Sequence, residues 1–189
     1  MSENQDVDFA FSSGNACGKN GEHLFLHVPG KKAISAVRDN VNNLQFANII
    51  GPPSLTIFRK RKNFKFDENL KWVVDVDAYI RLIKENPKFY FIEEPLLNIT
   101  SDAPHQVTKT FHKDRLARVL EHLYLLTKHR ETGIRRNIKR QIFIIDIVAN
   151  LDLEDLEKVS LQINKDFNSM ERLLFKCLIL RAKCKIWLD

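Results

Sequence analysis

Residues 48–60 read Asn-Ile-Ile-Gly-Pro-Pro-Ser-Leu-Thr-Ile-Phe-Arg-Lys, a rigid break that leads into an extended segment. Pro52 and Pro53 remove two backbone donors and fix φ, so neither a helix nor a central strand can continue through them. Residues 54–59 are rich in types that favour β structure. The sequence therefore predicts a turn at Gly51 that enters a strand.

On either side of this turn, the apolar residues follow two different periods. Residues 75–86 have the spacing of a helix, and Pro87 ends it because proline disfavours the α conformation of the residue before it. Upstream, residues 6–13 alternate with period two, as a strand does, and run into Gly14-Asn15. That pair predicts a turn.

Strands and helices alternate through the rest of the first hundred residues, which is typical of an α/β fold. The further elements predicted there are a hairpin reversal at 18–21 before an apolar run at 24–28, one or two short helices within 33–46, and two short extended pieces at 89–92 and 95–99.

The pattern becomes entirely helical after Thr108. Four amphipathic segments are predicted, and Gly133 separates the first from the second. The sequence therefore predicts an α/β region at 1–112 and a helical region at 113–189. The four predicted helices are 113–128, 134–149, 153–163 and 168–187.

Composition indicates a folded protein that does not span a membrane. The 189 residues are 44% hydrophobic and 29% charged, as expected of a folded domain. No apolar run approaches the roughly 18–20 residues of a membrane span, and the N-terminus lacks the features of a secretory signal. We expect a cytoplasmic protein, or one that lies peripherally on the cytoplasmic membrane face. The three widely separated cysteines are expected to be reduced.

The net charge is +6, and the basic residues are clustered at 59–62, 135–140 and 176–185. Such clusters indicate either an anionic partner or a solvated basic face. One function that would use them is a basic helical module that binds nucleic acid or an anionic membrane surface. Nucleic acid is the less favoured ligand, because aromatic side chains do not alternate with the basic runs as stacking platforms would.

Three motifs follow one another in a definite order. They are the Gly-Pro turn and strand that end in Phe-Arg at 51–59, Phe-Asp-Glu-Asn-Leu at 66–70, and Val-Asp-Val-Asp-Ala-Tyr-Ile-Arg-Leu at 74–82. In this order they resemble the second half of family 2, GT-A-type inverting glycosyltransferases. The strand and Asn-Gly turn at 6–21 resemble the segment after that family's Asp-x-Asp metal motif. The resemblance covers residues 6–112 and implies a partial GT-A-like mixed sheet with helices, followed by the helical extension.

The resemblance also implies what the chain lacks. The family's nucleotide-binding aspartate and Asp-x-Asp site precede the matching region, whereas nothing precedes Asp6 here except five residues. Asp6-Val7-Asp8 spells the motif by coincidence, because it opens the strand that follows the metal site. We therefore expect an incomplete chain that is inactive alone. Its relatives transfer a sugar from a nucleotide-diphosphate donor to a saccharide or lipid-linked acceptor, as in polysaccharide or lipopolysaccharide biosynthesis. They use Mg or Mn. The missing donor half implies a truncated chain, a split enzyme in which a partner chain supplies that half, or a chain without activity.

Asp75 occupies the position that the resemblance assigns to the catalytic base. Inverting transfer needs an ionised group that takes the proton from the acceptor hydroxyl. The alternative is that Asp75 only caps the helix that it begins. Asp77 and Arg81 are candidates for support or acceptor binding, although their pairing could be an ordinary exposed ion pair. Val74 stands where the family commonly has an acidic residue.

Three residues of the turn and one histidine complete the predicted site. Gly51, Pro52 and Ser54 are assigned to acceptor binding or support. His105 follows the predicted strand at 95–99 and matches the family's histidine near the diphosphate or its metal. The alternative for His105 is a surface histidine without a ligand. The other five histidines lack metal-ligand spacing and are not assigned to the site.

Overall fold

A computed structural model of the chain describes residues 6–100, 114–131, 133–149, 151–163, 167 and 169–186. The chain forms two compact units, Met1–Lys109 and Thr110–Asp189. The sequence-based boundary at 112/113 lies beside this division. Unit 1 holds all the described strands, and the described part of unit 2 is helical. The fold class is therefore mixed α/β.

The sheet of unit 1 is built around one central strand. Strand β1 (Phe9–Cys17) pairs along its length with β4 (Phe89–Thr100) in parallel. On its other side, the first half of β1 pairs antiparallel with β3 (Thr56–Phe58), and the second half pairs antiparallel with β2 (His23–His27). Because β1 is paired on both edges, its backbone groups are hydrogen-bonded within the sheet, and nearly all of its residues are buried.

Helix α2 (Val74–Glu85) supplies much of the core of unit 1. The aromatic ring of its Tyr79 lies 5.4 Å from that of Phe9 on β1, a distance typical of favourable aromatic pairs. The other elements between β2 and α2 are short. They are α1 (Lys31–Asp39), a 3₁₀ turn at Val41–Gln45 and a 3₁₀ turn at Pro53–Leu55.

The predicted turn at Gly14-Asn15 is wrong, because β1 continues through both residues. A Cβ atom on Gly14 would lie only 2.7 Å from the side chain of Leu55 and 2.9 Å from that of Ile99. Glycine is therefore used here for close packing within a strand and not for a turn. The chain reverses instead at 18–21, where Gly21 has a φ of +83°, as the hairpin pattern predicted.

The two extended pieces predicted at 89–92 and 95–99 form one strand, β4. Its register against β1 is interrupted, since Ser12 pairs with Ile92 whereas the next residue, Ser13, pairs with Pro95. Two residues of β4 are thus left over as a bulge. Proline, which lacks an N–H group, lies at that irregularity, where a lost ladder hydrogen bond is tolerated.

Unit 2 contains the four helices that the sequence predicted, and its core is closed by charged as well as apolar groups. Glu171, 1% exposed, accepts hydrogen bonds from Arg140 Nε at 2.6 Å and from Arg130 Nη2 at 3.1 Å. No described helix is both long and apolar enough to cross a membrane. The helices are α3 (Arg115–Lys128), α4 (Ile134–Val148), α5 (Leu153–Ile163) and α6 (Ser169–Ile186).

Candidate functional site

Asp75 lies in the first turn of α2, where the helix still has unpaired N–H groups. Its Oδ1 accepts a hydrogen bond from Val76 N at 2.8 Å. The residue at the N-cap position is Val73, whose side chain cannot cap, so Asp75 is the second residue of the helix. The interpretation of Asp75 as the N-cap is therefore wrong. The first turn nevertheless favours a negative charge at this place, through the helix dipole.

Asn48 connects this carboxylate to the Gly51 turn. Its Nδ2 donates to Asp75 Oδ2 at 3.2 Å and to Gly51 O at 3.2 Å. Its Oδ1 accepts from Gly51 N at 3.1 Å, which closes the turn as an Asx side chain can. Tyr79, one turn further along α2 than Asp75, donates from its hydroxyl to Gly51 O at 3.2 Å. We call Asn48, Gly51, Asp75 and Tyr79 the Asp75 cluster.

Gly51 meets two requirements that only glycine satisfies. Its φ of +89° lies in the region that side chains disfavour. A Cβ atom would also lie 2.8 Å from Nε2 of His27, at the end of β2. That nitrogen is buried and has no hydrogen-bond partner among the described residues. The structure therefore brings His27 beside the Asp75 cluster, although its sequence position gave no sign of this.

Burial raises the pKa of Asp75 above its ordinary value. The hydrogen bonds from Val76 N and Asn48 act in the opposite direction, since they stabilise the charged form. A carboxylate with a raised pKa binds a proton more strongly, which improves it as a general base. Burial and the charge of Asp75 also raise the pKa of Tyr79, so its hydroxyl remains a donor to Gly51 O.

Asp77 and Arg81 form a separate arrangement on another face of α2. Asp77 is 0% exposed and pairs with Arg81 Nε at 2.9 Å. Arg81 also donates to Lys65 O at 2.8 Å and lies over the ring of Phe64, 4.7 Å from its centroid. A fully buried carboxylate cannot touch an acceptor from solvent, so that role is wrong for Asp77. The pair instead fastens the segment around residue 65 to the helix.

Of the remaining predicted site residues, Pro52 and Ser54 lie on the turn that follows Gly51. Pro52 is half-buried next to Gly51, and its carbonyl accepts from Leu55 N at 3.0 Å to form the 3₁₀ turn. Ser54 is exposed on that same turn. Both therefore lie on this turn, beside the Asp75 cluster. His105 lies outside the described residues.

Part of the basic cluster at 59–62 is neutralised within unit 1. Arg59 and Arg61 both pair with Asp8, at 3.0 Å and 3.1 Å, and Arg61 also pairs with Glu85. Asp6 pairs with Lys88 at 2.7 Å. Asp6 and Asp8 thus both form ion pairs with basic side chains of unit 1. Within the part of the chain that the structure describes, no three metal-ligating side chains converge, so these residues do not fit a divalent cation.

Sequence reasoning selected Asp75 and Gly51 but missed the residues that join them. Asn48 had a usable signal, because asparagine side chains commonly hydrogen-bond the backbone of a turn that follows them. Tyr79 also had one, since it lies one helical turn after Asp75. His27 had none. Comparison of the chain with protein-family models, curated proteins and solved structures found no match.

Proposed function

We propose that this chain is the acceptor-side part of an inverting, family 2-type glycosyltransferase in which Asp75 is the general base. The observation that carries the proposal is the half-buried carboxylate of Asp75, which has a raised pKa and is tied by Asn48 to the Gly51 turn. The order of the motifs at 51–59, 66–70 and 74–82 supports the same assignment.

In this mechanism the acceptor hydroxyl attacks the anomeric carbon from the face opposite the nucleotide diphosphate. The new C–O bond forms as the bond to the diphosphate breaks, and the hydroxyl proton passes to the Asp75 carboxylate. Val76 N–H holds Oδ1, and Asn48 Nδ2 holds Oδ2. These bonds restrict the carboxylate before the acceptor arrives, and a preset geometry is a large part of catalysis.

The donor in this proposal is a nucleotide-diphosphate sugar held by another segment or chain. The divalent Mg or Mn ion of the family would also be held there, and we derive no step through it. A positioned base contributes about 10²–10⁴-fold to a rate, whereas positioning of the donor can contribute more. A polypeptide without the donor part is therefore expected to show little or no transfer.

The alternative of a basic helical module that binds nucleic acid is weakened by ion pairs within the chain. Three arginines of the basic clusters form ion pairs with carboxylates of their own unit. They are Arg59, Arg61 and Arg140. Fewer cations therefore remain for phosphate contacts than the sequence clusters suggest. Nucleic-acid binding through such contacts would weaken steeply with salt.

The direct test is to supply the donor half of a family 2 enzyme, as a fusion or a second chain, and to measure transfer of a radiolabelled sugar. We expect Asp75→Asn to lower the rate by about 10²–10⁴-fold, because it removes the base while keeping the shape of the side chain. Asp39→Asn, at an exposed position of α1, is the control and should retain the rate. Undiminished transfer by Asp75→Asn would remove Asp75 from the mechanism.

A further inference from the structure

Helix α4 of unit 2 has large apolar side chains on its solvent face. Ile138, Ile142 and Ile145 are 52%, 62% and 40% exposed. Their spacing of four and then three residues puts them on one face. A different face of α4 is packed, since Arg140 and Ile144, four residues apart, are buried. The exposed isoleucines are therefore a second apolar stripe on a helix whose first apolar face is already in the core.

Basic side chains border this stripe. Arg135 and Lys139 are exposed and lie three residues before Ile138 and Ile142 respectively, which makes each of them a neighbour on the helix surface. Arg136 is exposed as well and pairs with Glu131 at 2.5 Å. The only acidic residue of α4 is Asp146, near its end. The solvent face of α4 thus combines exposed apolar area with positive charge.

The charge of the whole chain is concentrated in the unit that carries this face. Thr110–Asp189 contains 16 Lys and Arg against 11 Asp and Glu, whereas Met1–Lys109 contains 14 against 13. The excess of unit 2 is therefore +5 of the total +6. A partner attracted to this chain by charge is attracted mainly to unit 2.

The same combination recurs on α6. Met170, Leu173 and Leu180 are exposed, and their spacing of three and then seven residues again keeps them on one face. Lys176 and Lys183 of the same helix are exposed too, and Lys183 pairs with Glu157 at 3.1 Å. Two helices of unit 2 therefore place apolar and basic side chains together in solvent.

We propose that the stripe Ile138–Ile142–Ile145 of α4 docks on an anionic lipid bilayer. The isoleucines enter the boundary between headgroups and acyl chains, and Arg135 and Lys139 contact the lipid phosphates. This is the way in which amphipathic helices lie in a membrane interface without crossing it. Each basic residue near such a surface adds attraction that salt screens.

Two other occupants fit this face less well. Nucleic acid offers phosphates but no apolar surface to receive three isoleucines. A second copy of the chain would bring two units of excess charge +5 together on this face, and like charges oppose such a contact. An anionic bilayer satisfies both the apolar stripe and the charge. The proposal does not depend on the proposed transfer activity.

The test is flotation of the full chain with vesicles of phosphatidylcholine alone or of equal parts phosphatidylcholine and phosphatidylglycerol. We expect binding to the anionic vesicles only, and its loss in high salt. Ile142→Ser should weaken partition about tenfold by removing inserted apolar carbons. The double variant in which Gln replaces both Arg135 and Lys139 should also bind the anionic vesicles more weakly. Each charge that is removed should weaken this binding about fivefold.

Leu161→Ser is the matched control, because Leu161 is 76% exposed in the same unit but lies on α5. It should bind the anionic vesicles like the parent chain. Circular dichroism and thermal melting establish that each variant folds. The proposal is overturned by a parent chain that does not float, or by Ile142→Ser floating equally well. It is also overturned if the chain forms a dimer without lipid and Ile142→Ser abolishes that dimer. The same holds if Ile142→Ser lowers the melting temperature and neither the parent chain nor any variant binds vesicles.

Discussion

At the scale of single residues, the conflict of forces at Asp75 is the most informative feature. Burial destabilises the charged form of its carboxylate, whereas the hydrogen bonds from Val76 N–H and Asn48 stabilise that form. The raised pKa shows that burial has the larger effect. Functional sites commonly contain carboxylates that lower the free energy of unfolding, because activity and stability compete there. Asp75 therefore differs from Asp8, which is compensated by two arginines.

The raised pKa of Asp75 predicts how its effect on stability depends on pH. The folded state holds this proton more tightly than the unfolded chain, so Asp75 contributes stability below its unfolded pKa, near 3.8. That contribution is lost as the pH rises through the folded pKa. Asp75→Asn should therefore gain in free energy of unfolding, relative to the parent chain, between acidic and neutral pH. Urea denaturation at both pH values measures the change, with Asp39→Asn as control, and a relative loss at neutral pH would contradict it.

Gly51→Ala should destabilise unit 1 by about 1–3 kcal/mol, because it forces a side chain into a positive φ. The added carbon would also press on the ring of His27. Gly30→Ala is the matched control, since Gly30 has a φ of −66° and no other group lies within 4 Å of the position that a Cβ atom would take there. It should change the free energy of unfolding by less than about 0.5 kcal/mol. Equal effects of the two substitutions in chemical denaturation would count against the turn geometry.

At the scale of elements, buried polar contacts decide how the helices of unit 2 are fixed. Glu171 on α6 receives Arg140 from α4 and Arg130 from the segment after α3. Arg140 also donates to the carbonyl of Leu126 on α3. Burial lowers the pKa of Arg140, whereas Glu171 raises it, so the carboxylate compensates a poorly solvated guanidinium. One side chain thus ties three parts of the unit together.

Glu171→Gln should therefore destabilise unit 2 by about 3–5 kcal/mol, because it leaves Arg140 as a buried charge without its counter-ion. Glu154→Gln is the control: it also removes a glutamate paired with a cation, but the Glu154 side chain is 79% exposed. Its effect should stay below about 1 kcal/mol. Chemical denaturation followed by far-UV circular dichroism measures both. A small effect of Glu171→Gln would show that Arg140 is solvated well enough without it.

At the scale of the whole molecule, the chain separates two kinds of chemistry into two units. Unit 1 is close to neutral and holds the Asp75 cluster, whereas unit 2 is basic and carries the apolar stripe of α4. The proposed transfer and the proposed membrane docking thus belong to different units. They can be tested separately, and the failure of one proposal leaves the other standing.

The sequence alone determined the elements whose signals are local. The helices, the break at Pro52-Pro53, the reversal at 18–21 and the position of Asp75 in the first turn of α2 follow from periodicity, proline and glycine. Only the tertiary structure decided contacts between distant residues. It fixed the bond from Asn48 to Asp75, the place of His27 beside Gly51, and the packing that makes Gly14 part of a strand. The reason is that hydrogen bonds and close approaches between segments depend on how the chain packs, and residue types along the sequence record that only weakly.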